Sequence, residues 1–146
     1  MALSAALIAF SAAAHAQGTT GHHLYVVPGI HYGTPARTSF SLTAFVDGRS
    51  GTIGKGHLLI VEGGRDAMKA QLGLADVSHS TVGWSTQLGF LRTGTEPIDG
   101  LPHASYAGTE LHLFIGVVNL GTGFYAPVGQ PAGRRGLLHL SAGLGF

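Results

Sequence analysis

The chain has 146 residues, room for one domain, and its 8 Lys and Arg against 7 Asp and Glu give a formal net charge of +1. Hydrophobic residues make up 45% and charged residues 10%, which argues against intrinsic disorder, and the balanced charge argues against nucleic-acid binding. The absence of cysteine excludes disulfides, thiolate metal sites and thiol nucleophiles.

Residues 1–16 are almost all apolar or small and end in Ala14-His15-Ala16, an A-x-A-like cleavage site. The apolar run is shorter than the roughly 20 residues that a transmembrane helix needs. We therefore interpret 1–16 as a secretory signal peptide, with a buried N-terminal helix as the alternative. Residues 17–23 then form a short lead, and 24–146 form the folded domain.

From Leu24 onward, apolar residues alternate with small or polar ones, the pattern of β-strands. Apolar residues do not recur at helical spacing, and glycines interrupt the segments, so helices are not expected. Seven alternating segments and one short apolar run predict eight strands, at 24–33, 38–47, 56–62, 66–75, 81–91, 106–117, 119–126 and 136–146.

Two of the turns between these strands have specific predictions. The Gly63-Gly64 pair suits a two-residue hairpin turn, because glycine accepts positive φ without strain. That turn would place Glu62 opposite Arg65 as a cross-strand ion pair. A second turn, near Val118-Asn119, separates the predicted strand 106–117 from the predicted strand 119–126.

The two faces of the predicted strands differ chemically. One is bulky and apolar, without charge inside any run, and the other carries Gly, Ser, Thr, Gln and His together with Lys69 and Glu110. Turned inward, the apolar face would leave a soluble barrel with a surface poor in charge. Turned toward lipid, it satisfies a bilayer, where Lys or Arg costs about 2–4 kcal/mol at the midplane, and the small face fills a narrow lumen. We therefore predict an all-β, antiparallel up-and-down transmembrane β-barrel of eight strands.

Aromatic residues concentrate near the ends of the predicted strands, as they do in the interfacial girdles of membrane barrels. We predict that Trp84 and Phe146 lie at one rim, and that the other rim carries Tyr32, Phe40, Phe90, Tyr106, Phe124 and Tyr125.

The polar face predicts a network inside the lumen, formed by Glu110, His112, Lys69, Gln71, His31 and His139. A buried carboxylate without a partner is costly, so Glu110 should pair with Lys69 or His112. Closure of the barrel brings the first and last strands together, which could bring His31 near His139. No spacing specifies the three or four ligands of a metal site, and no metal or cofactor is predicted.

Catalytic chemistry is the alternative interpretation of these polar residues. A Glu110–His112 pair could activate a serine such as Ser85 or Ser141. The cluster Ser78-His79-Ser80, with Asp76 nearby, is interpreted as a polar turn. Because no nucleophile motif accompanies these residues, no catalytic residue is assigned.

The last eleven residues, GLLHLSAGLGF, alternate and end on Phe146. With the secretory start and the glycine-spaced strands, the chain resembles the small bacterial outer-membrane β-barrel proteins of the eight-stranded type. The resemblance implies a Gram-negative outer membrane, both chain ends in the periplasm, and contact with membrane lipid. It also implies that Leu140, Leu144 and Phe146 form a C-terminal signal read by the outer-membrane assembly machinery.

The function expected from this resemblance is a structural, interaction or envelope-integrity role without an open pore, since eight strands leave no wide channel. Loops 92–103 and 127–134 would offer the contact surface. The alternatives are an outer-membrane lipid-modifying enzyme and a secreted soluble β-barrel that binds an apolar ligand. Nothing in the sequence indicates the oligomeric state.

Overall fold

The computed structural model describes residues 16–17, 23–47, 54–79, 82–129 and 135–145, and no helix occurs among them. The nine strands are β1 (Ala16–Gln17), β2 (His23–Gly33), β3 (Arg37–Asp47), β4 (Lys55–Gly64), β5 (Ala67–His79), β6 (Val82–Thr93), β7 (Ser105–Ile115), β8 (Val118–Val128) and β9 (Leu137–Leu144). In the described part of the chain, no helix is long and apolar enough to cross a membrane.

Strands β2 to β9 pair antiparallel in chain order, and β2 also pairs with β9. This closes the sheet, and the predicted all-β barrel of eight antiparallel strands is confirmed. The closing seam aligns only four residue pairs, from Ile30↔Leu144 to Gly33↔Ser141. The short β1 adds to the start of β2, with Ala16 opposite Leu24. The rest of the predicted signal peptide lies outside the described residues.

The barrel has two ends, which we name by the connections found there. The loop end carries the turns 34–36 and 65–66 and the connections 94–104 and 129–136. The terminal end carries the start of β2, the end of β9, the turn 116–117, and the ends of β3 and β5. The connection 94–104 lies at the predicted contact loop 92–103, and residues 130–134 of the predicted contact loop 127–134 lie outside the described residues.

Side chains alternate between the interior and the exterior of the barrel, as the period of two requires. Leu72, Leu113 and Leu140 are 63%, 41% and 53% exposed, whereas Gln71 and Glu110 are each 2% exposed. The bulky apolar face therefore looks outward, and the face with the small and polar residues fills the lumen.

The interior is not uniformly polar, however. An apolar cluster near the loop end contains Ala36, Ala67, Leu91, Ala104, Tyr106, Tyr125 and Leu137. A second cluster near the terminal end contains Phe45, Leu58, Ile60 and Ala75, with Tyr25 and Val77 packed against it. The buried side chains of Lys69, Glu62 and Glu110 lie between these two apolar layers.

The predicted turn at Gly63-Gly64 is wrong. Both glycines belong to β4, and the turn lies at Arg65-Asp66, so Glu62 faces Lys69 rather than Arg65. The pairing differs from the predicted one by an even number of residues, which leaves every side chain on its predicted face. The observed turn position sets which residue the inward-facing Glu62 meets, and its carboxylate lies beside the Lys69 ammonium.

The turn predicted near Val118-Asn119 also lies two residues earlier, at Gly116-Val117. Gly116 has a φ of 59°, the left-handed conformation that glycine adopts without strain, and it marks the turn better than Asn119 does. Asn119 is instead the second residue of β8 and points into the barrel, 1% exposed.

Candidate functional site: an ion cluster inside the barrel

Lys69 lies at the centre of the interior and uses all three N–H donors of its ammonium group. Its Nζ is 2.9 and 3.0 Å from the two carboxylate oxygens of Glu110 and 3.0 Å from Oε2 of Glu62. The Lys69 ammonium thus contacts Glu110 and Glu62, and its third neighbour is Nε2 of His139, at 3.3 Å. Four strands, β4, β5, β7 and β9, thus meet at one cation.

Glu110 is surrounded by donors on both carboxylate oxygens. Oε1 accepts hydrogen bonds from Lys69 and from the Tyr125 hydroxyl at 2.6 Å, and Oε2 accepts from Lys69 and from Nε2 of His112 at 2.7 Å. A fully buried carboxylate is tolerated only with such compensation, because burial without partners costs several kcal/mol. Glu110 is therefore the best-satisfied anion of the cluster.

The two histidines extend the cluster in opposite directions. Nδ1 of His139 donates to the carbonyl oxygen of Thr34 in a loop-end turn, which leaves Nε2 as an acceptor for the Lys69 ammonium. Nδ1 of His112 lies 2.9 Å from Oδ1 of Asn119, next to a terminal-end turn. Hydrogen bonds thus connect the two ends of the barrel through its centre.

Glu62 is held by a shorter branch of the network. Its Oε1 accepts a hydrogen bond from the Ser39 hydroxyl, while Oε2 pairs with Lys69. The cluster therefore contains two buried carboxylates around one ammonium. Both oxygens of each carboxylate accept hydrogen bonds or ion pairs from side chains inside the barrel.

Interior glycines provide the space for these large side chains. A Cβ added at Gly123 would lie 2.5 Å from Cγ of Glu110, and one added at Gly121 would lie 2.9 Å from Cε1 of His112. At Gly89 the Tyr125 hydroxyl oxygen would be 2.8 Å away. Each of these bulky polar side chains thus lies against a glycine, which explains how so glycine-rich a face encloses so many large groups.

Little free volume remains inside. A cavity of about 10 Å³ lies between the cluster and the loop-end apolar layer, lined by Glu62, Lys69, His139 and Leu91 among others. That is the space of about one water molecule. Oε1 of Gln71, Oε1 of Gln87 and Nδ2 of Asn119 are buried without a hydrogen-bond partner.

The structure brings together five of the six residues predicted for the lumen: Glu110, Lys69, His112, His139 and, through the Tyr125 hydroxyl at 3.4 Å, Gln71. Both pairings proposed for Glu110, with Lys69 and with His112, are present. His31 is also buried but lies opposite Gly143 rather than His139, and its Nε2 is 2.9 Å from Oγ of Ser41. The predicted approach of His31 to His139 through strand pairing is therefore not what the register gives.

Four members of the cluster are not among the residues predicted for the lumen: Glu62, Tyr125, Ser39 and Asn119. Glu62 is predicted to lie beside a turn, although the parity that it shares with Ile60 and Leu58 puts it on the inward face. Tyr125 lies two residues after the inward-facing Gly123 and therefore on the same face of β8, which also predicts that its side chain enters the lumen. Tyr106 and Tyr125 are 1% and 0% exposed, so the prediction that they belong to the rim girdle is wrong.

The other predicted rim aromatics face outward. Tyr32, Phe90 and Phe124 are 66%, 49% and 58% exposed toward the loop end, and Trp84 is 47% exposed toward the terminal end. Of the predicted C-terminal signal, Leu140 and Leu144 face outward, and Phe146 lies outside the described residues.

The geometry of the ion cluster suits a structural role, in which it stabilises the closed barrel, better than it suits catalysis. The Ser85 hydroxyl accepts from Nε2 of Gln87 at 2.8 Å, and both groups are sealed in the interior. The polar side chains around Glu110 point at one another rather than into a cavity that could hold a substrate. Among the described residues, no group of three or more His, Asp or Glu side chains is arranged to hold a metal ion.

Comparison with models of protein families, with curated proteins and with solved structures finds no match to this chain.

Proposed function

We propose that this protein is an integral outer-membrane β-barrel with a closed lumen and a structural, interaction or envelope-integrity role. The observation that carries the proposal is the exterior of the barrel. Large apolar side chains on all eight strands are exposed there, among them Ile30, Leu42, Val61, Leu72, Leu88, Leu113, Leu120 and Leu140. Soluble monomers rarely expose a contiguous apolar patch larger than a few hundred Å².

The distribution of charge supports the same location. The outward-facing charged residues of the described strands lie near the two rims, with Arg37 and Arg92 toward the loop end and Lys55 and Asp76 toward the terminal end. From Trp84 to Arg92, β6 runs about 27 Å along the strand and about 20 Å along the barrel axis at a tilt near 40°. That is close to the ~25 Å apolar band of outer-membrane barrels.

The filled interior argues against a soluble carrier of an apolar ligand. Such a carrier needs an apolar cavity of roughly 300–1,000 Å³, whereas the centre of this barrel holds buried ions. The choice of the outer membrane rests on the apolar, signal-like composition of segment 1–16, and the proposal includes lipid and the outer-membrane assembly machinery as partners. The loop-end connection 94–104, which exposes Glu96, Ile98 and Asp99, is the surface proposed for interaction.

We call the outward-facing apolar side chains between the two rims the apolar belt. The test compares the effect of substituting arginine at the middle of this belt with the effect of substituting arginine in a loop. We expect Leu88→Arg, midway between Trp84 and Arg92 on β6, to lose about 2–4 kcal/mol of stability in the bilayer and to reduce the amount of barrel in the outer-membrane fraction. Thr95→Arg, in the exposed 94–104 loop, should leave that amount unchanged. The measurement is fractionation in a Gram-negative host, with the shift in gel mobility between unboiled and boiled samples as the assay for folded barrel.

If the protein were a soluble barrel, Leu88 would be an ordinary surface position, and its substitution would change stability by less than about 0.5 kcal/mol. Recovery of the wild-type chain as a detergent-free soluble monomer would reject the proposal, as would equal tolerance of the two arginine variants.

A further inference from the structure

A crevice lies on the outer wall of the barrel, at the terminal end. It belongs neither to the ion cluster in the interior nor to the apolar surface proposed to contact lipid. Its volume is about 330 Å³, and it is lined by Lys55, Gly56, His57, Leu74, Ala75, Asp76 and Trp84. These residues come from three adjacent strands, β4, β5 and β6. A volume of this size falls in the range of sites for small organic molecules.

The strand pairing explains why these side chains converge. Lys55 lies opposite Asp76, Asp76 lies opposite Trp84, and His57 lies opposite Leu74. The pairing of β5 with β6 is regular up to Asp76 and then shifts in register before His79. Such a bulge bends its strand and re-aims the side chains beside it, and bulges are common next to binding sites and at barrel rims.

The lining divides into an apolar and a charged part. Leu74 and Trp84 are about half exposed and offer apolar surface on the side of the belt. Lys55 and Asp76 form an ion pair with Nζ 3.5 Å from Oδ2, and the side chain of Lys55 is 81% exposed. The crevice therefore offers one cation and one anion, side by side, at the edge of an apolar wall.

We propose that this crevice binds one glycerophospholipid whose head group carries both a phosphodiester and a primary ammonium. The phosphodiester contacts Lys55 and His57, the ammonium donates to Asp76, and the glycerol and upper acyl chains pack on Leu74 and Trp84. A purely anionic head group would meet the Asp76 carboxylate, and a choline group has no N–H to donate to it. This inference rests on the proposed membrane location.

The test uses Trp84, which is the single tryptophan of the chain, as a reporter inside the crevice. The full barrel is reconstituted in phosphatidylcholine vesicles that contain increasing fractions of phosphatidylethanolamine with brominated acyl chains, which quench tryptophan fluorescence on contact. A parallel series uses brominated phosphatidylglycerol. We expect phosphatidylethanolamine to be enriched at Trp84 about two- to fivefold over random mixing, the range that an exposed ion pair supports, and phosphatidylglycerol not to be enriched.

Two variants assign the effect to the crevice. Lys55→Gln combined with Asp76→Asn should bring the enrichment to that of random mixing. Arg92→Gln, which removes an exposed cation at the opposite rim, should keep the wild-type enrichment. Equal quenching by all head groups, preference for phosphatidylglycerol, or full enrichment in the double variant would overturn the proposal.

The wild-type comparison of head groups decides the matter even where the double variant does not fold. Equal quenching by every brominated lipid rejects the crevice as a specific site while leaving the membrane location intact. No quenching by any brominated lipid, with the protein recovered outside the vesicles, rejects the membrane location and the crevice together.

Discussion

Lys69 is the residue on which the interior depends, because its one positive charge is shared by the carboxylates of Glu62 and Glu110. All three residues are buried, with a relative exposure of 7% or less. Removing one partner of a buried ion pair is far more destabilising than replacing the whole set by apolar groups, because the remaining charge is left uncompensated. The three residues are therefore not equivalent under substitution.

We expect Lys69→Met to lower the free energy of unfolding by about 3–5 kcal/mol, because it leaves two buried carboxylates without a counter-ion. Glu62→Gln should cost only about 1–3 kcal/mol, since the Lys69–Glu110 pair remains. Urea-induced unfolding of the refolded barrel in detergent or vesicles measures both. Equal stability of the two variants would show that Lys69 is not the shared counter-ion.

At the scale of strands, large interior side chains are matched by glycines on the neighbouring strand. Gly123 on β8 lies opposite Glu110 on β7, and Gly121 lies opposite His112 in the same pair of strands. Gly63 on β4 differs, because it faces outward and a Cβ there would meet nothing within 4 Å. Glycine thus makes room for large side chains in the interior of the sheet, whereas at the outward-facing Gly63 it is not required by space.

This contrast gives a matched pair of substitutions. Gly123→Ala should lower stability by about 1–3 kcal/mol, the usual cost of overpacking, because the added methyl would displace the Glu110 side chain from its donors. Gly63→Ala should be neutral or stabilise by up to about 1 kcal/mol by restricting the unfolded chain. Denaturant midpoints of the two variants provide the measurement, and a tolerant Gly123 would contradict the steric role of the interior glycines.

At the scale of the whole molecule, the barrel encloses a polar layer between two apolar layers. Leu91 and Leu137 belong to the loop-end layer, and Phe45 and Leu58 to the terminal-end layer. Water or ions crossing the lumen would have to pass both layers and break the ion cluster. An eight-stranded barrel is just wide enough for its own side chains, and we expect the layers formed by the described residues to block the passage of solutes.

We therefore expect the reconstituted wild-type barrel to show no steady conductance in planar bilayers and no uptake of small sugars into vesicles. A large open porin at matched protein density serves as the positive control. Stable single-channel steps from the wild-type barrel would contradict a closed lumen.

Much of this architecture could be predicted from the residues alone, because the side-chain period of a strand is two and the apolar residues of the outward face keep that period along each strand. The parity of Leu72, Leu113 and Leu140 predicted their outward direction, and the parity of Lys69 and Glu110 predicted a shared interior. An error of two residues in the position of a turn, as at Gly63-Gly64, did not change any face.

The sequence by itself determined the strand number, the up-and-down order, the separation of an apolar from a small polar face, and the need of Glu110 for a partner. Only the tertiary structure decided which residues meet: that Glu62 joins Lys69 from across a turn, that Tyr125 faces Glu110 rather than the rim, and that Gly121 and Gly123 make room for their neighbours. The physical reason is that periodicity is a local property of the chain. Contacts across a barrel depend on register and closure, which the pairing of all eight strands fixes together.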